Sequence, residues 1–190
     1  MAMTTEPIRD KKHLKQLAKY FLSRGEYRNH LLLVFCSHTA LRISDILQIT
    51  LESVVDEERG DFCTHLTLTE TKTGKSKTIA IHPKIIEALK LYLPHKRGEF
   101  LFTGNRSNMA AISRVQAWRI LNVAAKEIGL GLKVSAHALR KTFGYHAWQN
   151  GISPVLLMEI YNHSSYEVTR RYLGIAQDDT DKVYLAVNMF

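Results

Sequence analysis

Aromatic and basic residues are concentrated in the segment IYNHSSYEVTRRYLGI, residues 160–175, which holds three tyrosines, one histidine and two adjacent arginines. A phenol must lose its proton before it can attack an electrophile, and its ordinary pKa is about 10. Nearby cations favour the phenolate, and arginine side chains bind phosphate oxygens through two parallel donors. The segment therefore fits two interpretations, an aromatic helix seam or a tyrosine that reacts with a phosphate group.

A second candidate pair lies in SAHALRKTFGYHAW, residues 135–148. His137 and Arg140 are three residues apart, which places them on one face of a helix, and Gly144 lies one turn further along that face. The missing side chain of Gly144 would let a bulky partner approach closely. An HxxR pair arises often by chance, so on its own it fits a surface pair as well as a catalytic one.

Further charged residues could join this pair. Arg42, in TALRISD, lies at a helix junction after an apolar run, where a charged side chain needs a partner or a function. Asp45 could pair with it and still leave the guanidinium group able to bind an anion. Lys72 lies in a predicted glycine turn, TKTGK, where solvation alone would explain it, and solvation is the better explanation for Lys75 and Lys77.

The tyrosines of the opening segment differ in their predicted positions. His163 immediately precedes a predicted helix start, whose free amides attract anions. Tyr161 continues an apolar series and is expected to pack in the interior, whereas Tyr166 falls in the first turn of the next helix. Tyr172 lies at the end of that helix, after an arginine and shortly before a glycine, where the chain can swing. Of the three, Tyr172 thus has the position that best suits a reactive tyrosine, while an aromatic helix seam remains open.

Length, charge and cysteine content limit the classes of protein. The 190 residues suffice for one well-packed domain. A formal charge of +8 and a pI of about 9.5 favour an anionic partner such as nucleic acid, although a solubilising surface would look the same. Cys36 and Cys63 are far apart and outside any CxxC, which argues against a disulfide framework or a zinc site. Without a run of about 18 apolar residues or a signal-peptide layout, a cytoplasmic protein with no membrane contact is expected.

Hydrophobic periodicity and capping residues predict a mostly α-helical chain with one small antiparallel sheet, an α+β fold. A capping box formed by Ser164 and Glu167 is predicted to begin the helix that carries Tyr172. Alternating apolar residues on both sides of the TKTGK turn predict a β-hairpin within residues 62–81. Residues 1–7 are predicted to be a flexible leader, and residues 8–190 one domain. The predicted helices cover residues 8–25, 27–41, 43–50, 83–93, 114–129, 136–149, 154–161 and 165–173, with one more in the tail.

Five ordered segments carry a family resemblance: TALRISD, ETKTGKSKTIAI, HALRKTFGYHAW, LLMEIYNHSS and RRYLGI. In this order and at these distances they resemble the catalytic domain of the tyrosine recombinases, the phage integrase family, from about residue 8 onward. Two positions depart from the family pattern: Asn162 stands where glycine is usual, and Lys141 where histidine is frequent. The resemblance implies a set of catalytic residues, Arg42, Lys72, His137, Arg140, His163 and Tyr172, with Asp45 as the acidic companion of Arg42.

The activity that this resemblance implies is site-specific recombination of double-stranded DNA without a metal or cofactor. Tyr172 would attack a phosphodiester and form a covalent 3′-phosphotyrosyl intermediate that conserves the bond energy for rejoining. Arg42 and Arg140 would neutralise the charge that develops on the phosphate, and Lys72 would protonate the departing 5′ oxygen. Of the two histidines, the one in the HxxR pair would act as general base or its assistant, and the other would be a further donor to the phosphate.

Contacts with DNA and with other copies of the chain follow from the same resemblance. Lys75, Lys141, Arg170 and Arg171 are candidate DNA-binding residues. The family normally clamps DNA with an additional N-terminal helical domain, for which this chain has no room. The chain is thus expected to be a minimal enzyme or a fragment, with weak and salt-sensitive DNA binding. In the family the segment after the nucleophile packs on a neighbouring protomer, so a homo-oligomer on DNA is expected, with a docking face formed by Val183, Tyr184, Leu185 and Val187.

Three other functions remain open at the level of sequence. A type IB topoisomerase-like enzyme would use the same chemistry to relax supercoils without exchanging strands. A catalytically silent module would bind DNA or regulate without forming a covalent adduct. A metal-dependent nuclease would need carboxylates that converge on the phosphate. The tail offers Asp178, Asp179 and Asp181, which fit a solvated helix start equally well.

Overall fold

The computed structural model describes residues 5–56, 58–104 and 109–188, except for the side chains of residues 176, 179, 182 and 183. The fold class predicted from the sequence is confirmed, because helices dominate and the sheets are small and antiparallel. The helices of the described part are α1 (Lys11–Ser23), α2 (Tyr27–His38), α3 (Ile43–Ile46), α4 (Pro83–Tyr92), α5 (Arg114–Glu127), α6 (Ala136–Gln149), α7 (Pro154–Tyr161), α8 (Tyr166–Leu173) and α9 (Ala176–Ala186). Its strands are β1 (Val55–Asp56), β2 (Asp61–Phe62), β3 (His65–Thr69) and β4 (Ser76–Ala80).

Helix α2 is the centre of the main hydrophobic core. Its residues from Leu31 to Cys36 are all buried, because the apolar run leaves the helix no polar face. Helices α1, α4, α5 and α6 pack around it, and apolar residues of the hairpin complete the cluster. The core helix predicted for residues 27–41 is confirmed but ends at His38. The chain then becomes extended at Thr39 and reaches Arg42 at the start of α3.

Strands β3 and β4 form the predicted hairpin. They pair antiparallel, with His65 opposite Ala80 and Thr69 opposite Ser76. A glycine at φ +66°, Gly74, makes the turn, since this backbone conformation is strained for residues with a side chain. Strands β1 and β2 form a second, two-residue pair that the sequence pattern does not predict, because two residues are too few to show alternation.

A second cluster of apolar residues joins α6, α7 and α8. Gly144 of α6 faces this contact, and a Cβ atom at this position would lie 2.5 Å from both the Tyr161 hydroxyl and Leu173 Cδ2. Side-chain atoms do not approach so closely, so the three helices can pack in this way only around a glycine. The close approach predicted from the position of Gly144 is confirmed.

The N-terminal segment is tied to α6 before the first helix starts. Helix α1 begins at Lys11 behind an Asp10 cap, not at residue 8 as predicted. Ile8 is buried, and its amide donates to the Thr142 hydroxyl over 2.8 Å. This long-range bond holds the backbone of Ile8 outside the helix.

The helix that carries Tyr172 begins one residue later than predicted. Its cap is Ser165 rather than Ser164, because the Ser165 side chain accepts a hydrogen bond from the Val168 amide. Among the described residues, no helix combines the length and the apolar character that crossing a membrane requires.

Candidate active site

Tyr172 lies in the last turn of α8, and other aromatic rings enclose its ring. The His137 ring, from the first turn of α6, meets it edge-on with ring centres 5.3 Å apart. The His163 ring, from the turn between α7 and α8, does so at 4.8 Å. The ring of Tyr161, at the end of α7, lies 5.2 Å away. Three consecutive helices therefore converge on the predicted nucleophile.

The Tyr172 hydroxyl is enclosed and has no hydrogen-bond partner among the described residues. The Arg140 guanidinium group lies close to it and favours the phenolate form. Burial raises the pKa of the phenol, and the charges of Arg140 and Arg42 only partly offset this effect. The phenol is thus protonated at neutral pH in this state, and its activation requires a group that accepts the proton.

Arg140 is buried in α6 with only part of its donor capacity used. Its Nη2 donates to the Tyr161 carbonyl oxygen over 3.4 Å, and its guanidinium carbon lies 4.9 Å from the centre of the Tyr161 ring. Nη1 has no partner among the described residues, although the residue is only 5% exposed. Burying a cation without a bonded carboxylate is unfavourable, so an arriving anion would be bound strongly here.

Arg42 reaches the same region from the N-terminal cap of α3. Its Nη1 donates to Glu70 Oε1 over 2.8 Å, and this ion pair joins α3 to the hairpin. The predicted pairing of Arg42 with Asp45 is wrong. Asp45 Oδ1 instead accepts a hydrogen bond from the Thr71 amide over 2.9 Å, because the turn presents a free N–H to α3. Both carboxylates thus fasten the base of the hairpin turn, one through Arg42 and one through the backbone.

The two guanidinium charges act on the same set of side chains. Arg42 and Arg140 each favour the less protonated form of Tyr172, His163 and Lys77. An electrostatic effect of this kind falls off with distance and is screened by solvent. The two arginines therefore lie around one site and not on opposite sides of the molecule.

Both predicted histidines favour the neutral form. Burial lowers the pKa of His137, and the charges of Lys141 and Arg140 lower it further. Burial also lowers the pKa of His163, whose Nδ1 lies 3.1 Å from the Thr169 hydroxyl and leaves Nε2 for another partner. A neutral imidazole can accept a proton near neutral pH, which is the property required of a general base.

The hairpin presents two lysines in different surroundings. Lys72, the predicted acid, is exposed in the turn, and its side chain makes no hydrogen bond or ion pair within the described part of the chain. Lys77, expected to be solvated, points inward instead, and its Nζ donates to the Ile160 carbonyl oxygen over 2.5 Å. That expectation is wrong. The strand pattern holds the missed signal, because Lys77 alternates with Ile79 and Ile81, which pack against the core.

Sequence comparison assigns the chain to a family. The profile described as the phage integrase family matches residues 9–178. The chain belongs to the phage integrase family. The tyrosine recombinase class that the sequence motifs predict is thereby confirmed.

Two curated relatives show how far the similarity extends. The probable integrase/recombinase YoeC of Bacillus subtilis is 38% identical over 180 residues, which cover 94% of this chain and 94% of that protein. The tyrosine recombinase XerA of Pyrococcus furiosus is 30% identical over 159 residues, which cover 81% of this chain and 52% of that protein. The chain thus spans nearly all of one relative and about half of the other.

Solved structures share the fold at low sequence identity. The crystal structure of the XerA recombinase matches with a TM-score of 0.75 at 19% identity, covering 95% of this chain and 65% of that one. The XerH site-specific recombinase bound to palindromic difH substrate matches with a TM-score of 0.71 at 17% identity, covering 95% and 53%. These matches support the predicted fold of a tyrosine recombinase catalytic domain.

The candidate DNA-binding residues of this integrase-family chain lie in two kinds of surroundings. Lys75 and Arg171 are exposed, and the guanidinium carbon of Arg170 lies 5.5 Å from the centre of the Tyr166 ring. Lys141, in contrast, is only 6% exposed, and its ammonium group lies 5.1 Å from the centre of the predicted nucleophile's ring. This position favours an effect of Lys141 on the tyrosine over a surface contact with DNA.

The tail after the nucleophile begins with contacts inside the chain. Arg9 donates to Asp178 Oδ2 over 2.8 Å and to the Gly174 carbonyl oxygen over 2.9 Å, which fastens the start of α9. Asp181 accepts a hydrogen bond from a glutamine of the same helix. The side chain of Asp179 lies outside the described residues, and among those described no three possible metal ligands are grouped.

The end of α9 is the most exposed apolar part of the described chain. Tyr184 and Leu185 are 78% and 86% exposed, and Val187 is 61% exposed. Val183, the fourth residue of the predicted docking face, has a side chain outside the described residues. The helix thus offers apolar side chains that the described part of its own chain does not cover.

Proposed function

We propose that this chain catalyses site-specific DNA recombination, with residues 8–190 as its catalytic domain. It would cut one DNA strand, hold the cut end covalently on Tyr172 and join it to a new partner. One observation carries the proposal: a phenol packs against two imidazoles that favour the neutral form, within the electrostatic reach of two guanidinium groups. Membership of the phage integrase family supports the same activity.

The cutting step begins when the Tyr172 oxygen attacks a phosphorus atom of the DNA backbone. The bond between this oxygen and phosphorus forms, the P–O5′ bond breaks, and the products are a 3′-phosphotyrosyl ester and a free 5′-hydroxyl. The phenolic proton passes to a base, for which His137 is the proposed residue, and the 5′ oxygen receives a proton from an acid. Rejoining reverses these steps with a different 5′-hydroxyl and therefore needs no external energy source.

Arg42 and Arg140 are the proposed stabilisers of the transition state. Charge on the non-bridging oxygens increases as the new bond forms, and permanently charged donors that are already in place respond without reorganisation. Nη1 of Arg140 is free among the described residues, and the bond of Arg42 to Glu70 uses one of its two terminal nitrogens. The two arginines can therefore each present donors to one phosphate, with His163 as a further donor.

Lys72 is the proposed acid for the departing 5′ oxygen. The base of its turn is fastened through Asp45 and through the pair of Arg42 and Glu70, while the tip that carries Lys72 is exposed. DNA bound along the face of the site would meet this tip. In this proposal, DNA binding completes the site by bringing the ammonium group to the scissile phosphate.

The proposed substrate is double-stranded DNA, and the proposed site of action is the cytoplasm. The formal charge of +8 supports an anionic substrate, and Lys75, Arg170 and Arg171 are the proposed contacts with its backbone. The XerH structure holds a difH substrate, and a lambda integrase structure is a dimer on a core site. By analogy we propose a homo-oligomer on DNA, in which Tyr184 and Leu185 dock on a neighbouring copy.

The test is a trapping experiment with nicked DNA in the presence of EDTA. A pool of duplexes that carry a nick beside a randomised core loses the short 5′-hydroxyl strand after cleavage, so the covalent adduct accumulates. Peptide mass mapping should locate the DNA on Tyr172. Tyr172→Phe should form no adduct, whereas Tyr20→Phe, which removes a hydroxyl bonded to Glu127 far from the site, should behave as wild type.

The alternative functions predict other results in the same experiment. Binding of the DNA pool without any adduct would indicate a silent module and overturn the proposal. Cleavage abolished by EDTA would indicate a metal-dependent nuclease. An adduct on Tyr172 with relaxation of supercoils but no strand exchange would indicate topoisomerase-like activity.

A further inference from the structure

All four carbonyl groups at the C-terminal end of α7 have hydrogen-bond partners. The last four carbonyls of an α-helix have none within the helix, so each must find a donor elsewhere or remain solvated. Two of the four donors are backbone amides of the following turn, and the other two are cationic side chains of the active site. The pairs are His163 N with Met158 O, Asn162 N with Glu159 O, Lys77 Nζ with Ile160 O and Arg140 Nη2 with Tyr161 O.

This helix end determines where His163 lies. Asn162 adopts the left-handed backbone conformation, with φ 56° and ψ 48°, and the chain turns sharply there between α7 and His163. The His163 ring stacks on the Tyr161 ring with centres 5.3 Å apart and an angle of 19° between planes. A displacement of the last turn of α7 would therefore move the imidazole away from its partners.

Lys77 links this helix end to the hairpin. Its Nζ and the Ile160 carbonyl belong to residues 83 positions apart in the chain, and a cation is favoured at a helix C-terminus by the helix dipole. Burial lowers the pKa of Lys77, the charge of Glu70 raises it, and the charges of Arg140 and Arg42 lower it further. The ammonium group therefore lies within the charge cluster of the site and not in solvent.

We propose that Lys77 is a positioning residue of the active site: by holding the Ile160 carbonyl, its ammonium group fixes the end of α7 and the His163 imidazole relative to the hairpin and the two arginines. The reaction that this arrangement serves rests on the proposed recombinase function, while the arrangement itself can be tested without it. The two hairpin lysines thus divide their roles, since Lys77 holds the site together and Lys72 stays free for chemistry.

A positioning role and a purely structural role differ in their consequences. Loss of a structural lysine would lower stability alone. Loss of a positioning lysine would also move His163, and a shift of about 1 Å in an active site can cost about a hundredfold in rate. The pKa of His163 depends on its position, because particular groups face the imidazole. They are the rings of Tyr161 and Tyr172, the Thr169 hydroxyl, and the charges of Arg140 and Arg42.

The first experiment follows the His163 imidazole by NMR in the free protein, with His163→Gln to assign its signals. Lys77→Met keeps the apolar stem and removes the ammonium group, so the ring should gain solvent and its pKa should rise towards the ordinary value. Lys77→Arg keeps a donor and should preserve the wild-type titration. Lys84→Met, which removes an exposed lysine paired with Glu87 on α4, should preserve it too.

The outcome of the titration decides the proposal. A His163 titration that Lys77→Met leaves unchanged overturns it, whatever the activity of the variant. Should Lys77→Met not fold, Lys77→Gln takes its place. The glutamine amide retains a hydrogen-bond donor but has no charge, and its side chain is too short to contact the Ile160 carbonyl oxygen in the same way.

The second experiment measures single-turnover adduct formation and DNA affinity in the same variants. Lys77→Met should slow adduct formation about ten- to a hundredfold and change the dissociation constant for DNA much less, with recovery in Lys77→Arg. An equal loss of rate and affinity would assign Lys77 to DNA binding and overturn the positioning role. If the wild-type protein forms no adduct, the proposed function fails, and the His163 titration still decides the role of Lys77.

Discussion

The α6–α8 region and the β3–β4 hairpin both supply residues to the candidate site, but they hold them differently. In α6–α8, Arg140 is buried and Tyr172 packs against two imidazoles, so the proposed nucleophile and its neighbours are already assembled in the free protein. In the hairpin, Lys77 joins this assembly, while Lys72 stands exposed at the tip. The difference indicates that the side of the site with the proposed nucleophile is preorganised, and under the proposed function the acid side would be completed by the substrate.

Removing Lys72 should have the largest effect on rate and almost none on stability. A general acid contributes about a hundred- to ten-thousandfold, so Lys72→Ala should slow adduct formation by a factor in that range. Because the side chain is exposed and makes no hydrogen bond or ion pair within the described part of the chain, the thermal midpoint should not change. A DNA substrate with sulfur in place of the departing 5′ oxygen needs no proton and should restore the rate.

The substrate with sulfur in place of the 5′ oxygen distinguishes loss of the proton donor from loss of a phosphate-binding group. Rescue of Lys72→Ala without rescue of Arg140→Ala would assign proton donation to the hairpin tip. A Lys72→Ala protein that forms adduct at the wild-type rate would show that the acid lies elsewhere, and the contrast between the two regions would be lost.

Arg140 should follow, with a loss of about a hundred- to a thousandfold in adduct formation for Arg140→Ala. The physical reason is that its free Nη1 donor is the buried positive group most available to the phosphate. Its effect on stability should be modest, because removal of a buried cation that no described carboxylate neutralises offsets the loss of the hydrogen bond to the Tyr161 carbonyl oxygen. Thermal unfolding and single-turnover kinetics of one sample check both expectations. A large loss of stability with normal kinetics would contradict the assignment.

Gly144→Ala should disturb the preorganised region specifically. An alanine Cβ would lie 2.5 Å from the Tyr161 hydroxyl and from Leu173 Cδ2, so α7 and α8 must shift, at a cost of about 1–3 kcal/mol in the free energy of unfolding. Without a clash, alanine would stabilise a helix by about 1 kcal/mol relative to glycine, so the sign of the change is diagnostic. Gly104→Ala is the control, because a Cβ there meets nothing closer than 3.4 Å.

The preorganised region was also the part of the site most open to prediction from the sequence. Caps such as Ser113 and Ser135 delimit helices through local hydrogen bonds, and the spacing of His137, Arg140 and Gly144 places them on one helix face without knowledge of the rest. Local interactions are therefore enough to predict which residues lie on the same face of a helix.

The contacts of the hairpin could not be predicted in the same way. The pairing of Arg42 with Glu70 joins residues 28 positions apart, and the nearer carboxylate, Asp45, proved to bind a backbone amide. Which carboxylate reaches a guanidinium group depends on how two elements pack, and sequence spacing does not determine that. Lys77 is an intermediate case, because its alternation with Ile79 and Ile81, which pack against the core, indicated an inward position, but not its partner in α7.

The smallest expected effect is on the pH dependence of the free energy of unfolding. Measuring it tests whether the two imidazoles are held in the neutral form. Burial lowers the pKa of His137 and His163 in the folded protein, whereas in the unfolded chain a histidine titrates near its ordinary value of about 6.5. As pH falls below about 6.5 the unfolded chain binds protons first, so the free energy of unfolding should decrease until the folded-state pKa values are also passed. Unfolding in denaturant across this range should show a shallower pH dependence for His163→Gln than for wild type. Adduct formation should persist below the ordinary histidine pKa, since the proposed base is still neutral there. A rate that follows an unperturbed histidine, together with an unchanged stability slope, would mean that the imidazoles around Tyr172 are as solvated as the hairpin tip.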